Sequence, residues 1–260
     1  MVEQLRWYDS VWLNAWFAAR QVVARVAPAR LPEFVASFAP LRTDPAFSVR
    51  KLPGLLDADE IAAIRDLVRS VPREVLEMHE LQRFGRLIVH DYPPLTALQQ
   101  TLIDRVSQWA GEEVEPSYNF LCLYSQLGVC EPHMDAPSAK WTLDVCLDQS
   151  GPWPIQLSQI VPWPDEPLAL DDDWQQWIKA NPALRFESQV LEPGDAVLFS
   201  GSSQWHYRDP LPPGKGRRFC DLLFFHFIPK GCGAIVRPAN WAQLFDIPEL
   251  GEIPGIAEVR

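Results

Sequence analysis

A mainly β chain with helices at its N-terminal end is the architecture this sequence predicts, and three patterns predict it. Apolar residues recur at three- and four-residue spacing over Val11–Val26, Ile61–Val68 and Leu98–Trp109, the period of an amphipathic helix. From Ser117 onward the pattern changes to short apolar runs bounded by Pro and Gly, which is how strands read. No repeat or low-complexity segment interrupts the chain. Short strands in such a series imply a sandwich or a barrel, of which the double-sheet jelly roll is one solution.

The first helix spans Val11 to Val26, with Trp12, Ala15, Trp16, Ala19, Val22, Val23 and Val26 on one face. Such a stripe reads as core rather than as an interaction surface. Pro28, Pro32, Pro40 and Pro45 then punctuate an irregular linker. Asp57 followed by Glu60 is a capping-box pattern, and the helix it opens runs to about Ser70, burying Ile61, Ile64 and Val68. A third helix covers Thr96 to Ala110, with Leu98, Leu102, Val106 and Trp109 inward and Gly111 as its stop. Strands are expected near 85–90, 117–125, 130–135, 140–147, 154–158, 189–191, 195–199, 205–208 and 218–227. Residues 160–188 look inserted. Within them Asp171-Asp172-Asp173 opens a short helix through Trp174 and Trp177, the acids complementing its dipole. Long insertions lean toward function, which makes this one a candidate lid. After Gly233 the weak periodicity predicts a tail wrapped on the surface. The expected organisation is a helical extension over 1–46, a core domain over 47–232 and a tail over 233–260.

Composition narrows the function classes. A chain of 260 residues builds one sizeable core or two small ones. Its 47% hydrophobic content with eleven Trp excludes wholesale disorder. The net charge of −11 repels phosphate backbones, so nucleic acid is not the expected partner. Cys122, Cys130, Cys146, Cys220 and Cys232 show no CxxC pair and lie in strand-like runs. They read as buried free thiols of a reducing compartment. No apolar span approaches the ~20 residues of a membrane helix. The N-terminus carries neither a basic n-region nor a small-residue cleavage site. A cytoplasmic protein is expected.

The chemistry is concentrated in His133-Met134-Asp135 and in His206, followed by Arg217-Arg218. Two residues apart on an extended chain, His133 and Asp135 point to the same side. A distant imidazole would complete a set of two nitrogens and one carboxylate that suits ferrous iron with open coordination positions. Around it, Glu192-Pro193-Gly194-Asp195 reads as a tight turn and Ala196-Val197-Leu198-Phe199 as a strand. A second loop at Gly201-Ser202-Ser203 then delivers Trp205-His206.

These residues resemble the iron(II)- and 2-oxoglutarate-dependent oxygenases, in particular the branch of the prolyl 4-hydroxylases, over about Phe47 to Pro229. The matching segments are the HxD at His133 and Asp135, the GDxLxF strand at Gly194–Phe199, and His206 behind it. Leu123-Tyr124-Ser125-Gln126-Leu127-Gly128 matches the family's tyrosine–glycine segment. The arginines stand eleven and twelve residues after His206, one or two more than the family's spacing. The resemblance implies a double-stranded β-helix (jelly roll, cupin-like) with the helices packed against one sheet. It implies iron(II) on His133, Asp135 and His206, and 2-oxoglutarate and O2 as cosubstrates. It also implies hydroxylation of a C–H bond in a small molecule or peptide side chain, with succinate and CO2 as coproducts. In relatives that halogenate, Gly or Ala replaces the acid, so Asp135 points to hydroxylation or a related oxidation.

For the cosubstrate's distal carboxylate the resemblance offers Arg217 or Arg218, with Tyr124 as a hydroxyl donor. Alternation favours Arg218, whose face carries Cys220, Leu222 and Phe224, whereas Arg217 shares its face with the acid Asp221. Arg208, two residues past His206, is a third candidate. His79, His90 and His226 have no ligand partner in the sequence and read as structural. On the strand after HxD, Leu143, Val145 and Leu147 form a face suited to the helices, and Thr142, Asp144 and Cys146 form the other; the resemblance implies that this second face looks toward the metal. Lys140 and Trp141 are expected at that strand's entrance. Asp144 then reads as a salt-bridged acid or as a receptor for a cationic substrate. Two other functions share much of this pattern: a cupin-like metalloenzyme needing no 2-oxoglutarate, and a metal-free jelly roll that only binds.

Overall fold

The computed structural model describes residues 11–166 and 174–259. Its helices are α1 (Val11–Val26), α2 (Leu31–Ser37), α3 (Ala58–Arg69), α4 (Leu81–Phe84), α5 (Pro93–Thr101), α6 (Ile103–Ala110), α7 (Trp174–Ala180) and α8 (Trp241–Leu244). Its strands are β1 (Arg50–Leu52), β2 (Arg86–His90), β3 (Val114–Tyr124), β4 (Cys130–His133), β5 (Trp141–Gln149), β6 (Ile155–Ser158), β7 (Phe186–Gln189), β8 (Ala196–Phe199), β9 (His206–Arg208) and β10 (Cys220–Pro229). They form two antiparallel sheets, one ordered β1-β8-β5-β10-β3-β2 and the other β4-β9-β6-β7.

Local sequence explains most boundaries. The Asp57 carboxylate accepts from the backbone N–H groups of Asp59 and Glu60, and Glu60 accepts from that of Asp57, so the capping box that opens α3 is complete. The helix expected over Thr96–Ala110 is two helices, and it starts earlier. Pro93 and Pro94 suit a first turn, where no N–H is needed. At Leu102 the N–H reaches back only to Gln99 O (3.1 Å), a tighter turn that separates α5 from α6. The linker expected across residues 28–45 instead contains α2, with Pro32 tolerated in its first turn. The acidic start of the helix at Trp174 lies outside the described residues.

Alternation along β5 sorts the interior. Trp141, Leu143, Val145 and Leu147 face Ile61, Ile64, Leu95 and Val106 of α3, α5 and α6, so these helices cover the outer face of the larger sheet. Cys122, Cys146, Val197, Phe199 and Leu222 on its inner face meet Ile155 and Leu157 from the smaller sheet and Trp153 just before β6. A third cluster joins the two ends of the chain. Trp12 and Trp16 of α1 and Phe38 pack with Trp241, Phe245 and Leu250, and the Trp12 indole donates to Val236 O at 2.7 Å. Residues after Gly233 therefore supply core side chains, where a surface wrap was expected. Each buried indole removes about 150–250 Å² from water, which outweighs the weak local periodicity of this segment. Met134 and Trp205, neighbours of the expected ligands, also belong to this cluster. All five cysteines are free, and Cys130 alone among them is only half-buried. Among the described residues no helix is long and apolar enough to cross a membrane.

Candidate metal centre and its cavity

The smaller sheet brings the two histidines together. β4 and β9 are antiparallel, with His133 directly opposite His206. Asp135 follows two residues later on the same side. His133 Nε2 and His206 Nε2 lie 3.7 and 3.8 Å from Asp135 Oδ1, and the three ligand atoms fall within 4.8 Å of one another. Each ring is oriented by its own backbone. His133 Nδ1 bonds Glu131 O at 2.7 Å and His206 Nδ1 bonds Gln204 O at 3.0 Å. With Nδ1–H donating to a carbonyl, the Nε2 lone pairs face each other's side of the cavity, the tautomer a metal requires. Burial, with His133 beside it, pushes His206 down to about 4, so it is neutral at pH 7. Burial disfavours the charged form of Asp135, but His206 and His133 outweigh it and hold the carboxyl below its usual range.

The carboxylate is seated by its surroundings. Asp135 N–H donates to Gly201 O at 2.8 Å, and Thr142 Oγ1 donates to Asp135 Oδ2 at 3.2 Å. A Cβ on Gly201 would overlap Asp135 Oδ2 and would stand 2.5 Å from Thr142 Oγ1 and 2.6 Å from Ala139 O. Only glycine fits there. Burial disfavours the charged form of His133, but Cys130 and Asp135 outweigh it and push it up to about 9, so a metal would displace a proton there. With both imidazoles neutral and the carboxylate ionised, the set on one side of the cavity fits a divalent metal with positions left open, and the mixed N/O donors suit iron(II). No signal in the sequence distinguishes Gly201 from an ordinary loop glycine.

The cluster opens into a cavity of about 370 Å³ between the two sheets. Its basic end is built by Arg208, Arg86 and Tyr124. Arg208 is buried; it donates to Trp153 O and, at 2.6 Å, to Asp144 Oδ2. Arg86 lies over the rings of Phe84, Phe120 and Tyr124, pairs with Glu80, and donates to Tyr124 Oη at 2.6 Å. The tyrosine hydroxyl thus keeps its own proton for another acceptor. Tyr124 lines this end of the cavity.

Several expected site residues lie elsewhere. Arg218 is outside the cavity lining, donating to Pro212 O (3.0 Å) and Ser150 O (2.8 Å), and Arg217 is exposed over the Phe219 ring. The inward face of β10 is the expected one, with Phe224 on the cavity, but the strand begins at Cys220, after both arginines. Lys140 and Trp141 also turn away from the cavity. Both donate to Glu112 Oε1, at 2.5 and 2.6 Å, because Trp141 shares the helix-facing side of β5. Asp144 does face inward, and its Oδ2 pairs with Arg208 while its buried Oδ1 has no hydrogen-bond partner among the described residues, so it is a member of an internal ion pair rather than a carboxylate waiting for a cation. His226, expected to be structural, lines the cavity and bonds Thr142 Oγ1 through Nδ1 at 3.1 Å. Arg86 went unnoticed because its partner Tyr124 is its cross-strand neighbour, a pairing that only register reveals.

No protein-family profile matches the sequence, and no curated protein does. Solved structures do match. The non-haem α-ketoglutarate-dependent epimerase SnoN of nogalamycin biosynthesis aligns over 81% of this chain and 90% of its own, at 17% identity and a TM-score of 0.51. HygX from Streptomyces hygroscopicus, solved with nickel and 2-oxoglutarate bound, aligns over 76% and 86%, at 12% identity and a TM-score of 0.51. A prolyl-4-hydroxylase from Pseudomonas putida aligns over 71% and 94%, at 14% identity and a TM-score of 0.47. At these identities the likeness to SnoN and HygX is one of fold, and the weaker third match adds nothing about the branch. The chain has the fold of iron- and 2-oxoglutarate-dependent enzymes, with two antiparallel sheets and helices on one of them.

Proposed function

We infer that the chain is an iron(II)- and 2-oxoglutarate-dependent dioxygenase that hydroxylates a C–H bond of a small molecule or peptide side chain. The observation that carries the reading is the pairing, in one cavity, of the His133–Asp135–His206 set with a basic end built by Arg208, Arg86 and Tyr124. His133, Asp135 and His206 would hold the metal. Bound there with 2-oxoglutarate and O2, iron supplies the decarboxylation to succinate and CO2 and the oxidising power for the C–H bond. The basic end would take the distal carboxylate, with Tyr124 Oη donating one bond and a guanidinium supplying charge. Phe120, Phe199 and Phe224 line the space between and exclude water from the reacting atoms.

This assignment moves the carboxylate anchor from the arginines before β10 to Arg208 and Arg86. A cupin-like enzyme without a cosubstrate has no use for a buried tyrosine and two arginines facing its metal, which favours the 2-oxoglutarate reading. Calorimetry on the nickel-loaded protein should show one molecule of 2-oxoglutarate bound per chain. The iron-loaded enzyme should release succinate, and Asp135→Ala should abolish that release while the melting temperature stays near the parent's. Succinate release at the parental rate in Asp135→Ala would remove the metal assignment, and failure to bind 2-oxoglutarate would favour the cosubstrate-free enzyme.

A further inference from the structure

β3 carries a second inward tyrosine that the reading above does not use. Tyr118 lies six residues before Tyr124, so both face the cavity, and an extended strand separates them by about 20 Å. A five-carbon diacid, even fully extended, spans less than half of that distance. A cosubstrate anchored at Tyr124 and reaching the metal therefore leaves Tyr118 to another molecule.

The ring of Tyr118 is held firmly. It stacks on His226 at 4.2 Å and 27°, and lies nearly parallel to Phe120 at 6.2 Å and 9°. His226 is itself fixed, since its Nδ1 bonds Thr142 Oγ1, which in turn bonds Asp135. Thr142 gives its proton to the carboxylate, so His226 Nδ1 is the donor in that pair. Through this chain the phenol is referenced to a metal ligand. Its hydroxyl has no hydrogen-bond partner among the described residues, although the residue is half-buried. Burial and the charges of Asp135 and Asp91 keep the phenol protonated, so it is available both to donate and to accept.

We propose that Tyr118 is a binding residue for the primary substrate, its hydroxyl meeting a neutral carbonyl or amide whose apolar flank lies along Phe120 and Phe224. The inference rests on the function proposed above and adds the class of substrate group. The protonated phenol can donate to a carbonyl and accept from an amide N–H, and a cationic group finds the inward Asp144 already paired with Arg208. His226 is a positioning residue that acts through the phenol.

The test uses the full chain loaded with manganese(II) and saturated with 2-oxoglutarate, with benzamide as the amide probe and ethylbenzene as its apolar counterpart. Proton relaxation of each probe by the paramagnetic metal reports binding inside the cavity. Tyr118→Phe keeps the stacked ring and removes one hydroxyl. Benzamide should bind the variant about tenfold more weakly than the parent, the loss expected for one buried hydrogen bond. Ethylbenzene and 2-oxoglutarate should bind both proteins within about twofold, as neither needs that hydroxyl. Equal benzamide affinity in the variant, no relaxation of benzamide by the metal in the parent, or a parent that prefers ethylbenzene would each overturn the proposal. Loss of 2-oxoglutarate binding in both proteins would instead overturn the function on which it rests, because the probe comparison is repeated without cosubstrate.

Discussion

Asp144→Asn separates the structural and the cosubstrate roles of the buried arginine. In the parent, Arg208 Nη2 stands 2.6 Å from Asp144 Oδ2, and both side chains are almost fully buried. Neutralising one member of a buried pair leaves the other charge uncompensated, at a cost of about 3–5 kcal/mol. The asparagine still accepts one hydrogen bond, which places the loss toward the lower figure. For a domain of this size each kcal/mol is worth about 2–4 °C, so the melting temperature should fall by roughly 6–12 °C. If Arg208 faces the cosubstrate, 2-oxoglutarate brings back the missing negative charge. The variant should then bind it about tenfold more tightly than the parent, which adds about 1.4 kcal/mol to the stabilisation seen at saturating ligand. Thermal melts of the nickel-loaded proteins, with and without 2-oxoglutarate, measure both quantities. An equal 2-oxoglutarate shift in parent and variant would show that Arg208 is only a core ion-pair partner, and would leave Arg86 and Tyr124 as the anchor.

Two further outcomes follow from the same coordinates. Gly201→Ala places a methyl group into Asp135 and Thr142, and should weaken manganese(II) binding about 10–100-fold by calorimetry; parental affinity would mean that the loop moves freely. Asp221, opposite Asp148 on the β10–β5 pair, is pushed up to about 6 by burial and by that neighbour, against Arg217 and Arg65. A carboxyl raised in the folded state loses its stabilising contribution as pH rises from its unfolded value through about 6. Asp221→Asn should therefore be more stable than the parent above pH 6, by about 1–3 kcal/mol, with the gain vanishing toward pH 4. Urea titrations at pH 4 and 7.5 check this, and equal midpoints at 7.5 would refute it.

What could be read from the sequence was local. His133 and Asp135 are two residues apart, the capping box is four residues long, and the strand at Ala196–Phe199 is set by its own turn, so each pattern was complete within a short window. Alternation separated the two faces of β5, and the family resemblance turned the one with Thr142 and Asp144 toward the candidate metal site. Arg217 and Arg218 lie off the cavity because a strand boundary decides their placement. A start at Cys220 rather than near Arg218 takes both candidates off the sheet, and boundaries are the least local feature of a strand. Arg86, Tyr118 and His226 converge only after β2, β3 and β10 have paired. The partner of Asp144 is supplied by β9 of the other sheet, 64 residues away.

Met134 and Trp205 have a wider consequence. Each sits beside a ligand in the chain, His133 or His206, and each sends its side chain out of the barrel into the aromatic cluster formed by the two chain ends. That cluster draws on Trp12, Trp16 and Phe38 at one end of the chain, Trp241, Phe245 and Leu250 at the other, and Trp163 and Ile178 between. The unit that supports the candidate site is consequently larger than the two sheets: a fragment cut to residues 47–232 would keep His133, Asp135 and His206 and lose much of the cluster that their neighbours Met134 and Trp205 join. The segment expected to be an insertion shares this support: Trp163, Ile178 and Leu184 belong to the same cluster, and Trp174 packs on Trp205, so changes there reach the candidate ligands as directly as changes at either terminus.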